Sequence, residues 1–273
     1  IIAMYDELFS GHGYAFNPDQ DVWHRQTDLC EDCYIAMPDR DIMGQYKAVI
    51  VYDEDMQIPL DRDNQIREYQ NVLGEYLNVG GRVVLIGRNL FASSVTGWES
   101  VSGPTEATFT PADFGWIYFG VTHMYFPGSL SGALNDKVDI SDFVRTIALD
   151  PRFPVIRTDT SRTVYLSQLP LPELVHTDRT GDGNANWLYL PDVNWIGIDR
   201  RRNAEGFYQF DSSLPNTSPS QGRLVGARYE FYDQILGRPT FRTAILTVPF
   251  FTLEQDDGNV RLLVRQLLDY ILE

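Results

Sequence analysis

Basic residues are scarce in this chain, and that shortage excludes more than any other feature. Among 273 residues, 22 are Lys or Arg against 38 Asp or Glu, a formal net charge of −16. So acidic a surface repels phosphate backbones and anionic membranes, and no basic stripe interleaved with aromatics offsets the mean field. Nucleic acid is therefore excluded as a partner. Long apolar runs are missing too: nothing approaches the roughly 20 residues that span a bilayer, so no membrane insertion is expected. No signal-peptide pattern opens the chain, and a start at Ile1 is what a processed protein or an excised domain would show.

Cysteine is nearly absent. Cys30 and Cys33, in the run Asp28-Leu-Cys-Glu-Asp-Cys33, are the only two. A zinc site of cysteines draws on about four, usually two such pairs. The acidic neighbours disfavour a thiolate, which argues against a redox pair; a small disulfide and two unpaired thiols both stay open. Histidine is also sparse. His12, His24, His123 and His176 never fall at the helical spacing of a zinc protease, and no H-E-x-x-H occurs. His123 is the one to watch, because Thr122-His-Met-Tyr125 follows the aromatic stretch Phe114-Gly-Trp-Ile-Tyr-Phe119. A histidine lining a pocket can act as acid or base; the plainer reading is a packed or surface residue. Gly11-His-Gly13 is too short for a phosphate loop, and no G-x-S-x-G surrounds Ser93 and Ser94. The single cationic cluster, Arg200-Arg-Arg202, reads as a solvated loop against the acidic surface or a contact for an anionic partner.

What is present is material for a large core, at 43% hydrophobic and 13% aromatic residues. Lys47-Ala-Val-Ile-Val-Tyr-Asp53 is a strand-length apolar run, as expected of a strand covered on both faces. After Pro59, Asp61 or Asp63 can cap a helix whose apolar positions Ile66, Tyr69, Val72, Leu73, Tyr76 and Leu77 form one face. Gly80-Gly81 stops it, and Arg82-Val-Val-Leu-Ile-Gly87 is a second buried strand. Strand, helix, strand makes a right-handed βαβ unit with parallel strands. Near the other end, Thr243–Phe250 reads as a strand with Pro249 at its close. A helix follows, opened by Asp256-Asp-Gly-Asn259, with the stripe Val260, Leu263, Val264, Leu267, Leu268, Ile271 and Leu272. Between these ends Thr163–Ser167 and Val225–Tyr232 look like strands, the second at an edge, while 93–113 and 203–223 read as long loops. No repeat or flexible linker divides the chain, so residues 1–273 are expected to form one elaborated α/β domain, mostly parallel with helices on both faces. The part played by 1–45 is left open.

The order Tyr46-Lys-Ala-Val-Ile-Val-Tyr52, a helix ending Glu75-Tyr-Leu-Asn-Val-Gly-Gly81, then Arg82–Leu90 resembles the class I glutamine-amidotransferase-like, flavodoxin-like domains appended to secreted bacterial proteins. Asp150-Pro-Arg-Phe-Pro154 and Leu246-Thr-Val-Pro-Phe-Phe251 with its helix fit the same pattern. The resemblance implies a nucleophile at a sharp elbow after a strand, then a His and an acid after a late strand. Here Asn89 stands at the nucleophile position, Phe251 near that of the base, and Glu254 alone can match the acid. An amide is no nucleophile, and a thioester route needs a thiolate beside a base, so glutaminase activity is not expected. The resemblance implies a secreted, extracellular or periplasmic protein, in which such a domain binds, spaces or assembles. A lysine-poor, tyrosine-rich composition accords with that.

Ligands of α/β sheets collect at the carboxyl ends of the strands, where Asp53, Glu54, Arg88, Asn89 and Phe251 would line a crevice for a carbohydrate or protein ligand. Two rivals follow from the residues. Asp53, Glu54 and Asp55 with Glu254 could furnish the paired carboxylates of a hydrolase. Asp178, Thr180, Asp182 and the backbone of Asn184 follow the alternate spacing of a calcium loop, with Gly183 at its turn. Tyr189 stands where that loop needs a bidentate acid, so a polar turn is the plainer reading and a calcium-dependent adhesion module the alternative. Calcium is the one cofactor suggested.

Overall fold

The computed structural model describes residues 7–14, 38–53, 65–87, 90–91, 106–125, 142–159, 193–233, 235, 237–250 and 253–273. A one-turn helix, α1 (Arg40–Met43), is capped by the Asp39 carboxylate, which accepts from the amides of Asp41 and Ile42. It leads into β1 (Val49–Asp53), α2 (Gln65–Asn78) and β2 (Arg82–Gly87). The helix stops where its glycine pair predicts: the amides of Gly80 and Gly81 donate back to the carbonyls of Leu77 and Tyr76. Strands β1 and β2 run parallel, Val49 opposite Val83, so this part of the βαβ reading holds.

The rest of the sheet comprises β3 (Glu106–Thr108), β4 (Val121–Tyr125), β5 (Phe143–Ala148), β6 (Trp195–Ile198), β7 (Ala204–Ser212), β8 (Leu224–Asp233) and β9 (Arg238–Leu246). Helix α3 (Phe114–Phe119) sits between β3 and β4, and α4 (Asn259–Leu272) follows β9. The strand order is β1-β2-β9-β8-β6-β4-β3, with β7 also on β8 and β5 on β7, so the sheet forks at β8.

This α/β sheet is mixed, which corrects the expectation that it is mostly parallel. Only β1 with β2 and β2 with β9 are parallel; every other pairing among the described residues is antiparallel. The reason is that antiparallel strands occupy ground read as loops. Segment 203–223 contains β7, and β3 lies in 93–113. Strand β8 is internal rather than an edge, held by β9 on one side. The proposed strand 163–167 lies outside the described residues.

Alternate residues of the parallel strands divide between two cores. Val84, Ile86, Ala244 and Leu246 pack with the buried stripe of α4, from Val260 to Ile271. Val83, Leu85 and Ile245 pack with Leu73, Tyr76 and Leu77 of α2 and with Phe114 and Phe119 of α3. Leu263 of α4 is fully buried, and cutting it to Ala would cost about 2–5 kcal/mol. Arg242 secures the far end of α4, donating to Glu230 at 2.6 Å and to the carbonyl of Tyr270 at 3.1 Å.

The Arg200–Arg202 cluster forms a 3-10 turn capped by the Asp199 carboxylate, and it is not wholly solvated. Arg202 lies 3.7 Å above the Trp116 ring and donates to the Trp116 carbonyl and, at 2.7 Å, to the Tyr229 hydroxyl. Its charge therefore locks α3 onto β8. No helix among the described residues is long and apolar enough to cross a membrane.

Candidate functional site

The exits of neighbouring parallel strands locate the place where this kind of sheet opens. Beyond Gly87, Leu90 and Phe91 are buried in the core that holds α2. Beyond Leu246, Val248, Phe250 and Leu253 enter the core that holds α4. The chain thus leaves β2 toward one face and β9 toward the other, which makes the gap between them a topological switch point. Gly87 borders it with φ 135, a backbone conformation that glycine adopts freely and side-chain-bearing residues rarely do.

On the β9 side of that gap stands Thr247, fully buried. Its hydroxyl has one proton and contacts two carbonyls, Asn194 at 2.5 Å and Val225 at 3.1 Å. The oxygen is occupied in joining β9 to the segment before β6 and to β8. Sequence reasoning passed over Thr247, because a threonine next to a strand end carries no signal until the pairing of β8 and β9 is known.

Of the expected crevice residues, Asp53 ends β1 opposite Gly87 in register, which places it at the carboxyl edge as foreseen. Glu54, Arg88, Asn89 and Phe251 lie outside the described residues, as do Cys30, Cys33, His24, His176, Ser93 and Ser94. Asp178, Thr180, Asp182 and Asn184 also lie outside them. Glu254 is half-buried; its amide donates to the carbonyl of Arg157 at 2.9 Å beside the bridge between Thr158 and Leu253. Among the described residues no three His, Cys, Asp or Glu side chains converge as metal ligands.

His123 is brought together with residues distant in sequence. The limb β3-β4-β6 buries Ala107, Met124 and Ile196 in the α2-side core. Their opposite side meets the other core: Trp195 is buried in the core that holds α4, and Tyr125 packs against it. Here the other face carries two cross-strand rows: Glu106, Tyr125 and Trp195, then Thr108, His123 and Gly197. Glu106 and Thr108 are exposed, while His123 and Tyr125 are half-buried. Tyr125 stacks on Trp195 with centroids 4.6 Å apart and planes 16° apart. His123 meets the same indole edge-on at 5.6 Å, and the exposed Arg223 guanidinium lies over it at 4.8 Å. Trp195 is 9% exposed, and its Nε1 is buried with no hydrogen-bond partner among the described residues. Such an orphaned donor costs about 1–3 kcal/mol.

Among the described residues, a further charged cluster lies elsewhere. Arg228 bridges Asp150 at 3.0 Å and Glu205 at 2.8 Å, and Arg152 donates to Asp150 at 2.7 Å. These partners, Arg152 above all, hold the Asp150 carboxyl down at about 2. With each charge paired, the group ties β5's exit to β7 and β8. Burial pushes the hydroxyls of Tyr208 and Tyr270 well above the usual phenol range, so both are neutral packing elements.

No protein-family model matches the chain, and no curated protein matches it. Among solved structures, a cytoplasmic protein of Salmonella typhimurium is similar at 13% identity and a TM-score of 0.40, over 87% of this chain and 76% of that one. A likeness this loose carries no argument about fold family or function.

Proposed function

We propose that the chain is a non-catalytic binding or accessory domain, glutamine-amidotransferase-like in its parallel half and part of a larger secreted protein. The observation that carries this is the construction of the β9 side of the switch point. Thr247, just beyond the end of β9, is fully buried against two backbone carbonyls. A nucleophile needs an oxygen exposed to substrate and a base to take its proton; Thr247 has neither property. The sequence adds Asn89 and Phe251 where the family's active members hold a nucleophile and a base. The acidic surface restricts partners to neutral or cationic ones.

Ammonia release from glutamine and hydrolysis of generic ester and glycoside substrates test the proposal. No turnover above the buffer rate is expected. Turnover that disappears in Glu254→Gln would contradict it in favour of the paired-carboxylate hydrolase.

A further inference from the structure

We infer that the outer face of β5 and of the segment 155–158 beside it captures the C-terminal carboxylate of a polypeptide whose last side chain is apolar. The inference rests on the reading of the chain as a binding domain, and it supplies the site and the partner's chemistry. Two arginines lead to it. The amides of Thr146 and Thr158 donate across to the carbonyls of Ile156 and Val144, which makes Arg145 and Arg157 a non-hydrogen-bonded pair, the arrangement that brings cross-strand side chains closest. Thr146, Ile156 and Thr158 are buried, so by alternation the two arginines stand on the opposite, outer face, where Arg157 is exposed. Like charges directly opposite one another destabilise a sheet. With 38 acidic residues against 22 basic ones, an acid facing Arg145 would be the stabilising choice, and the arginine found there is held against stability. A local rule broken in this way marks a residue kept for function.

The row in which they stand fits a carboxylate. Asp211, opposite Arg145 in β7, accepts from the Arg145 Nε at 2.6 Å, which orients that guanidinium and leaves its two Nη groups to donate elsewhere. The Arg157 side chain makes no ion pair or hydrogen bond among the described residues. Two forks side by side suit a carboxylate, which accepts two parallel N–H bonds. Ile147, two residues along β5 from Arg145, is half-buried, and Val155, two before Arg157, is exposed at 36%, so a small apolar surface adjoins the charges. Glu254 flanks Arg157 on its other side, its amide donating to the Arg157 carbonyl at 2.9 Å, and its carboxylate can accept from a peptide N–H. A polyanion would meet Glu254, Asp211 and a net charge of −16. A long alkyl acid would cover Glu254 without matching it. A neutral or cationic polypeptide avoids both conflicts, because its end carries a single carboxylate beside amides and one side chain.

Nuclear magnetic resonance titration of the intact chain with an acetylated serine-alanine hexapeptide ending in leucine, as the free acid and as its C-terminal amide, tests the inference, with decanoate as a third probe. Saturable binding of the free acid is expected, weaker by about tenfold or more for the amide. Arg157→Glu should abolish binding while raising the thermal midpoint of the free chain, because it exchanges a like-charge pair for one of opposite charge. The comparison of acid with amide uses the unaltered chain and so depends on no variant's folding. No saturable binding of the free acid, or equal binding of the amide, overturns the site and leaves the binding-domain reading standing. Binding that survives Arg157→Glu, or a midpoint lowered by it, also overturns the site. Decanoate bound as tightly as the peptide overturns the polypeptide as occupant. Cleavage of the bound peptide overturns the binding-domain reading itself.

Discussion

His123 occupies the space that Gly197 leaves empty. The two are opposite one another in β4 and β6, and a Cβ at position 197 would stand 1.9 Å from the imidazole Cε1. The glycine is thus a steric requirement of the ring rather than of the backbone. Gly197→Ala should cost about 1–3 kcal/mol, as overpacking does. The double variant Gly197→Ala with His123→Ala should recover much of that loss. Urea midpoints of the two variants check this; equal losses would show that the ring and the glycine are not coupled.

Thr247 should behave as a structural tie. Thr247→Val keeps the shape but leaves the carbonyls of Asn194 and Val225 without its hydroxyl, a loss of about 1–3 kcal/mol. Thr247→Ser retains the hydroxyl and should lose less. Thermal unfolding of the two variants gives the comparison.

Asp150 makes stability depend on acid. Its folded pKa, about 2, lies below the ordinary 3.8, so its contribution is fully present above the ordinary value and is lost as pH falls through about 2. Asp150→Asn should be less stable at neutral pH by about 2 kcal/mol, the order of a hydrogen bond to a charged group. Between about pH 4 and pH 2 the difference from the parent should close. Denaturant titrations across that range would show it, and a constant difference would contradict the assignment.

Arg202 should not be replaceable by lysine. Its guanidinium stacks on Trp116 and donates to the Trp116 carbonyl and the Tyr229 hydroxyl together. An ammonium has neither the planar face nor the fork. Arg202→Lys and Arg202→Ala should both lower stability, by about 1–3 kcal/mol, with lysine recovering only a small part. Full recovery by lysine would reduce the contact to simple charge.

Sequence periodicity revealed the elements whose burial pattern is regular. The apolar runs at 47–53 and 82–87, and the stripes of α2 and α4, announce themselves because each has one dominant repeat. Strand β7 escaped for the opposite reason. Its pairing with β8 shifts register on either side of Tyr208, so Phe207 and Tyr208 are both buried in succession and the alternation breaks. With β7 read as loop, the antiparallel share of the sheet was hidden. The ring cluster was half visible: His123 and Tyr125 sit in an evident aromatic stretch, but Trp195 lies 70 residues beyond Tyr125 and joins them only through the register of β4 with β6. Of the expected crevice residues Asp53 alone is among the described residues, at the end of β1, while the switch point needed the directions taken after Gly87 and Leu246.

The central claim is that the chain binds a ligand without transforming it. One experiment tests it most directly: saturation-transfer magnetic resonance on the chain in a mixture of free-acid peptides and glutamine, followed for a day. The account predicts saturation transfer to at least one peptide while every component keeps its concentration. Glutamate appearing, a peptide shortening, or no transfer to any component would contradict it.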